Sequence, residues 1–153
     1  MNNIKQRIVM DEETKKLLSD QTIMPPEISI DGQDYILEEC KSTEGYKSVL
    51  WKGMDKYNVP VAIKFTTYKD YVDHSYLQEL SRAAHLRGYS QFAQYSNADI
   101  QSLHLGDKEI KCVCFAEEWV DGQTILQYAK NNLITVSFIL QYIKEMCNAL
   151  NIL

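Results

Sequence analysis

The stretch Val61-Ala62-Ile63-Lys64 determines how this sequence is interpreted. It lies at the end of an apolar run from Val59 to Phe65 that is rich in β-branched residues, which is typical of a β-strand. Glu79 follows 15 residues after the lysine, within residues 76–86, whose apolar residues recur close to helical spacing. A strand lysine and a helix glutamate at this separation can meet as an ion pair beside a phosphate group.

The composition indicates one globular domain. The chain has 153 residues, of which 45% are hydrophobic and 24% charged, which is enough for a hydrophobic core and argues against general disorder. The net charge of −5, with lysines dispersed among carboxylates, disfavours nucleic-acid binding. No apolar run is long enough to cross a bilayer, and the polar residues 1–5 are not a secretory signal. We therefore expect a cytoplasmic protein.

The cysteines raise the question of a metal site. The chain has four of them: Cys40, Cys112, Cys114 and Cys147. Cys112 and Cys114 would lie on one face of a strand, as a pair of metal ligands can, but the three histidines are scattered and complete no ligand set. We expect buried, apolar cysteines in a reducing compartment and no metal.

The remaining elements follow a definite order. Residues 11–19 predict a short peripheral helix, which Pro25-Pro26 separates from the rest of the chain. Asp31-Gly32 between two apolar runs predicts a hairpin. Further strands are predicted over residues 49–53, 59–65, 100–105 and 110–116, with one helix around Glu79. Helices capped by Thr124 and Thr135 follow, and the last carries a broad apolar stripe.

In order and spacing, these features resemble the N-terminal lobe of the eukaryotic-like serine/threonine protein kinases, from about Tyr35 to Leu153. Four features carry the resemblance: the lysine of the Val-Ala-Ile-Lys strand, the helix glutamate, the hinge-like sequence Glu117-Glu118-Trp119-Val120-Asp121-Gly122, and the terminal amphipathic helix. The resemblance implies an α+β fold with a five-stranded antiparallel sheet, one helix equivalent to the family's helix αC, and C-terminal helices. Residues 1–26 would be an N-terminal extension, 27–122 the lobe and hinge, and 123–153 the start of an incomplete helical C-lobe.

The resemblance also implies roles for the lysine and glutamate. Lys64 would contact the α- and β-phosphates of ATP, which binds with Mg²⁺ in the complete enzyme, and Glu79 would orient the lysine. The adenine-binding positions would be Val49 and Ala62 as an apolar roof, and the Glu118 carbonyl and Val120 backbone in the hinge. Glu117 would stand at the gate of the rear pocket, where a carboxylate needs a partner such as Lys64. A register one residue earlier would put Ala116 at the gate and Glu117 in the hinge.

The glycine-rich loop departs from the family pattern Gly-x-Gly-x-x-Gly-x-Val. Aligned on its final valine, the pattern covers residues 42–49, where none of its glycines is kept and Gly45 lies one place out of register. Because glycines let backbone amides approach phosphates, a weak or altered nucleotide site is expected. Glu44 would add negative charge there, Lys47 would partly offset it, and Tyr46 matches the aromatic tip of the loop.

The function implied is that of the ATP-binding lobe of a protein serine/threonine kinase, which in its complete form transfers the γ-phosphate to protein hydroxyls. No His-Arg-Asp-type loop or Asp-Phe-Gly motif occurs before Leu153, so the chain alone is expected to be inactive. The alternatives are a pseudokinase or interaction module, the N-lobe of an aminoglycoside- or choline-type kinase, and an unrelated α+β binding domain. The apolar helix over residues 136–153 predicts self-association, most simply as a dimer.

Overall fold

Six antiparallel strands and three helices make up the part of the chain that the computed structural model describes, residues 10–43, 48–68 and 84–152. In chain order they are α1 (Glu12–Ser19), β1 (Glu27–Ile30), β2 (Gln33–Ser42), β3 (Ser48–Asp55), β4 (Pro60–Thr67), β5 (Tyr95–Leu105), β6 (Lys108–Glu118), α2 (Ile125–Asn131) and α3 (Val136–Leu150). The expected α+β class is confirmed. No helix among these residues has the length and apolar character needed to span a membrane.

The sheet has six strands instead of the expected five. Its order is β1-β2-β3-β4-β6-β5, and every neighbouring pair is antiparallel. Strand β1 forms a hairpin with β2 around Asp31 and Gly32. Both turn residues have positive φ, 51° and 75°, as the predicted Asp-Gly turn requires. The hairpin was anticipated from the sequence, whereas the five-stranded sheet implied by the resemblance is not confirmed.

The two outer strands approach each other, so the sheet is nearly barrel-shaped. The side-chain amide of Asn97 on β5 donates to the carbonyl of Ile30 on β1 at 3.3 Å. The amide of Gln101, also on β5, donates to the carbonyl of Ser29. Side chains therefore link the edges where a closed barrel would have main-chain hydrogen bonds.

Helix α1 covers the core, whereas the sequence predicted a peripheral helix. Asp11 caps the helix by accepting the backbone N–H of Thr14 at 2.8 Å, and this hydrogen bond lowers the pKa of the Asp11 carboxyl. Leu18 is completely buried, and its carbonyl accepts the indole N–H of Trp51 on β3 at 2.8 Å. The flanking Met10 and Met24 are buried as well, which explains why a helix with few apolar residues packs firmly.

Alternation along the strands separates two faces of the sheet. The core face carries buried side chains that include Val49, Trp51, Val61, Ile63, Phe65, Cys112, Cys114 and Ala116. On the opposite face of β4, Ala62 and Lys64 are half-buried. Val113 and Phe115 of β6 also lie outside the core cluster, although both are buried. The second face therefore also carries buried side chains, and it holds the candidate site.

Helices α2 and α3 contain no buried residue. Their predicted caps are confirmed: Thr124 forms a capping box with Gln127, and Thr135 accepts the N–H of Phe138. The rings of Tyr128 and Phe138 stack at 4.7 Å between centroids and join the two helices. The apolar stripe of α3 is exposed.

Candidate functional site

Lys64 lies on a central strand of the sheet. Strand β4 is paired on one side with β3, where Leu50 is opposite Lys64, and on the other with β6, where Phe115 is opposite Lys64. The Lys64 Nζ atom is 5.7 Å from the centroid of the Phe115 ring, within the range of a cation–π interaction. The lysine is half-buried, and the Phe115 contact places its ammonium group on this face of the sheet.

The strand register corrects the expected adenine roof. Val49 is paired with Phe65, is completely buried and belongs to the core, whereas Ala62 lies on the face of Lys64. Neighbours across antiparallel strands share a face, so Val49 and Ala62 point to opposite sides of the sheet. Leu50, directly opposite Lys64, is the apolar residue of β3 nearest to the lysine on this face.

The same correction changes the alignment of the glycine-rich pattern. If the final apolar position of the pattern is Leu50, the pattern covers residues 43–50, and Gly45 falls on its second glycine. Thr43 and Ser48 then replace the other two glycines. The loop sequence is closer to the family pattern in this register than in the one aligned on Val49.

Glu117 lies on the same face as Lys64. It is half-buried and directly opposite Ala62, whereas Ala116 is fully buried on the core face. Of the two registers considered for the gate, the strand pairing therefore puts Glu117 beside the lysine's face and Ala116 away from it. The opposite neighbour of Glu117 on β5 is Tyr95, whose pKa is raised by burial first, and further by nearby carboxylates that include Glu117.

A second lysine stands at this face, which sequence reasoning did not identify. Lys52 is opposite Ala62 on β3. Its ammonium group is 4.0 Å from a carboxylate oxygen of Glu38 and 5.7 Å from the ring centroid of Trp119, just after β6. In the sequence, Leu50 and Lys52 alternate with the core residues of β3, which indicates that these two residues share a face. Only the strand pairing shows that this is the face of Lys64.

The hinge-like segment starts where β6 ends. Glu118 is paired with Val61 and is exposed, and its N–H donates to the carbonyl of Gln94 at 2.7 Å. The carboxylate of Glu118 accepts the N–H of Gln94 at 3.0 Å, which fixes this end of the strand. Val120 follows, 62% exposed, so its backbone lies at the surface. Both predicted hinge residues are thus next to the face of Ala62 and Glu117.

Two predicted site residues, Glu79 and Tyr46, lie outside the described residues. The pairing of Glu79 with Lys64 and the position of Tyr46 over the phosphates remain predictions.

The described residues contain no group of three or more His, Cys, Asp or Glu side chains arranged to hold a metal ion. Cys112 and Cys114 are buried on the core face, and their mutual hydrogen bond and burial raise the pKa of the Cys114 thiol, which favours the neutral form. Cys40 is half-buried and Cys147 is exposed, so the expectation that the cysteines are buried holds for two of the four.

One face of the sheet carries a cation, an apolar patch and an anion. They lie near the end of β6, where the strand leads into the hinge-like segment. Such a face can bind a ligand with an anionic end near Lys64 and a flat, apolar part near Leu50 and Ala62. Comparisons with known proteins add nothing to this description, because no family model matches the sequence and no curated protein matches it either.

Proposed function

We propose that this chain is the ATP-binding lobe of a protein-kinase-like phosphotransferase, whose complete form transfers the γ-phosphate of ATP to protein hydroxyls. The observation that carries the proposal is the position of Lys64. It lies on β4 between β3, which follows the sequence compared with the glycine-rich pattern, and β6, which runs directly into the hinge-like segment. A nucleotide in contact with Lys64 and the hinge-like segment would lie along this face.

The residues of this face fit ATP by their chemistry. Lys64 would hold the α- and β-phosphates, with Glu79 predicted to orient it. Leu50 and Ala62 would cover the base, in place of the Val49 and Ala62 pair expected from the sequence. Main-chain groups of Glu118 and Val120 would meet the edge of the base. Mg²⁺ would neutralise phosphate charge when it binds with the nucleotide.

A function as an interaction module without catalysis is the second candidate. It is favoured by the loss of two of the three pattern glycines, even in the register aligned on Leu50. The exposed apolar residues of α3 also favour it, because large apolar patches mark association surfaces. The N-lobe of an aminoglycoside- or choline-type kinase is less favoured, because Val61-Ala62-Ile63-Lys64 and the hinge-like residues 117–122 resemble protein kinases more closely.

Lys64→Met tests the proposal. It removes the charge and keeps most of the aliphatic volume, so we expect the fold to be retained and the affinity for Mg-ATP to fall by about 10-fold or more, as loss of a charge-assisted phosphate contact implies. The measurement is isothermal calorimetry on the 153-residue chain, with circular dichroism as the check on folding.

Lys56→Met is the matched control. Lys56 is an exposed lysine in the turn between β3 and β4, outside the candidate site, and its loss should leave the affinity unchanged. Equal affinity of wild type and Lys64→Met would contradict the phosphate-binding role. If wild type itself does not bind Mg-ATP, the interaction module becomes the better account.

A further inference from the structure

We infer that the outer face of the sheet around Ile36 binds a lysine-rich amphipathic helix of another protein. This surface, the Ile36 face, consists of three carboxylates and three apolar side chains from β1 to β4: Glu27, Asp34, Glu38, Ile36, Met54 and Pro60. The inference does not depend on nucleotide binding, so it holds or fails separately from the proposed function. Its support is an open row of apolar residues that carboxylates surround.

The strand pairing puts the apolar residues in one row across the sheet. Ile36 on β2 is opposite Glu27 on β1 and opposite Met54 on β3, and Met54 is opposite Pro60 on β4. Directly opposite residues of antiparallel strands share a face, so these side chains lie on one side of the sheet. Both neighbours of Ile36 along β2 are buried in the core, so Ile36 lies on the face away from the core.

This row is open to solvent. Ile36 is 50% exposed, Pro60 is exposed and Met54 is half-buried. Val59, which is 53% exposed, immediately precedes Pro60 and extends the apolar surface into the turn between β3 and β4. A single exposed apolar residue has no special meaning, but a contiguous apolar surface with a polar rim marks an association site.

Carboxylates surround Ile36 on this face. Asp34 and Glu38 lie two residues before and two residues after Ile36 on β2, and all three carboxylates of the face are exposed. Among the described residues, Glu27 and Asp34 form no ion pair. The carboxylate of Glu38 is 4.0 Å from the ammonium group of Lys52. The face is therefore apolar at its centre and anionic around it, which is complementary to apolar side chains flanked by lysines.

The main-chain pairing of the sheet favours a helix as the occupant. Strands β2 and β3 are each paired on both sides, so an extended segment cannot add main-chain hydrogen bonds to them. A helix satisfies its own main-chain groups and presents only side chains. The row crosses four strands, about 14 Å at a strand spacing of about 4.8 Å, which is comparable to the helix diameter of about 10–12 Å. The carboxylates disfavour pairing of this face with the same face of a second copy, and they repel nucleic acids.

The experiment measures fluorescence anisotropy of a labelled peptide of leucine and lysine, with leucines at helical spacing and about 18 residues, enough to form a helix. We expect wild type to bind it at least about 10-fold more tightly than the same peptide with glutamate in place of lysine. Ile36→Gln should weaken binding by about 10-fold or more, because it removes the apolar anchor. Glu27→Gln combined with Asp34→Asn should weaken binding by about 3-fold or more and reduce its salt dependence.

Ile143→Gln is the matched control, because it makes the same substitution at an isoleucine of α3 that is also 50% exposed. It should leave the affinity for the peptide unchanged. An effect of Ile143→Gln without an effect of Ile36→Gln would place the peptide on α3 and overturn the inference. Absence of binding, or equal affinity for the lysine and glutamate peptides, would overturn it as well.

Two further measurements complete the test. In nuclear magnetic resonance of the isotope-labelled wild type, addition of the lysine peptide should shift the amide signals of β1, β2 and β3 most, and this result does not require any variant to fold. Largest shifts elsewhere would contradict the inference. Sedimentation velocity should give the same oligomeric state for wild type and Ile36→Gln. A dimer that dissociates in Ile36→Gln would assign the face to a second copy of the chain instead.

Discussion

At the scale of single residues, Gly53 is the position where the sheet leaves no room for a side chain. A Cβ atom added there would lie 2.5 Å from the carbonyl oxygen of Ile36 on β2 and 2.9 Å from the Cδ1 atom of Ile63 on β4. The first contact is with backbone, which cannot move without disturbing the β2–β3 pairing. We expect Gly53→Ala to destabilise the protein by about 2–3 kcal/mol, as overpacking of a tight site does, measured by urea denaturation.

Gly122→Ala is the control for this prediction. Gly122 follows the end of β6, and an added Cβ there would meet no atom within 4 Å. Its effect should be below about 0.5 kcal/mol, the range of surface substitutions away from special features. A Gly53 variant as stable as the Gly122 variant would mean that β2 and β3 shift apart easily, contrary to the contact distances.

The candidate site could be predicted in part from single residues. Alternation along a strand is enough to put Ala62 and Lys64 on one face, and the structure has them there. It does not determine which residue of β3 is their neighbour, because the pairing depends on the turn and on packing across the sheet. The expected partner Val49 was wrong by one residue, and a shift of one residue reverses the face.

At the scale of elements, α1 is held to the sheet by one buried hydrogen bond together with its apolar contacts. Trp51, 2% exposed, donates its indole N–H to the carbonyl of Leu18. We expect Trp51→Phe to cost about 1–3 kcal/mol, because it leaves this buried carbonyl without its donor. Hydrogen exchange should show the largest loss of protection in Glu12–Ser19, since the sheet keeps its main-chain ladder.

Trp119→Phe is the matched control at this scale. Its ring is only half-buried and contacts Lys52, so the same substitution should leave the exchange of α1 unchanged. Uniform loss of protection across α1 and the sheet in Trp51→Phe would show instead that the helix and the sheet unfold as one unit.

The elements differ in how well the sequence predicts them. The caps of α2 and α3 are local, so Thr124 and Thr135 were sufficient to locate both helices. The packing of α1 depends on Met10 and Met24, which lie beyond its ends and reach the core only through the tertiary fold. Local pattern therefore predicted the helix but not its burial.

At the scale of the whole molecule, the apolar surface of α3 is the main feature that the described fold does not cover. The exposed residues recur at spacings of three and four, as in a helix–helix interface: Val136, Ile139, Leu140, Ile143, Met146 and Leu150. Val136 is 74% and Leu150 61% exposed, so the stripe is open along the whole helix. The charged residues of α3 are one lysine and one glutamate, so two copies of the helix would meet without net repulsion.

We therefore expect two chains to pair through α3, and Ile143→Lys to break the pair. Ile143 is at the centre of the stripe, and burial of an unpaired lysine in the interface would cost far more than the lost apolar contact contributes. Sedimentation velocity at about 10 μM, within the range where modest interfaces associate, should give a dimer for wild type and a monomer for the variant. Gln141→Lys is the control, since residue 141 is two positions away and lies on the opposite side of the helix from Ile143. A monomeric wild type would show that the apolar stripe does not join copies of this chain, and a dimer that survives Ile143→Lys would place the interface elsewhere.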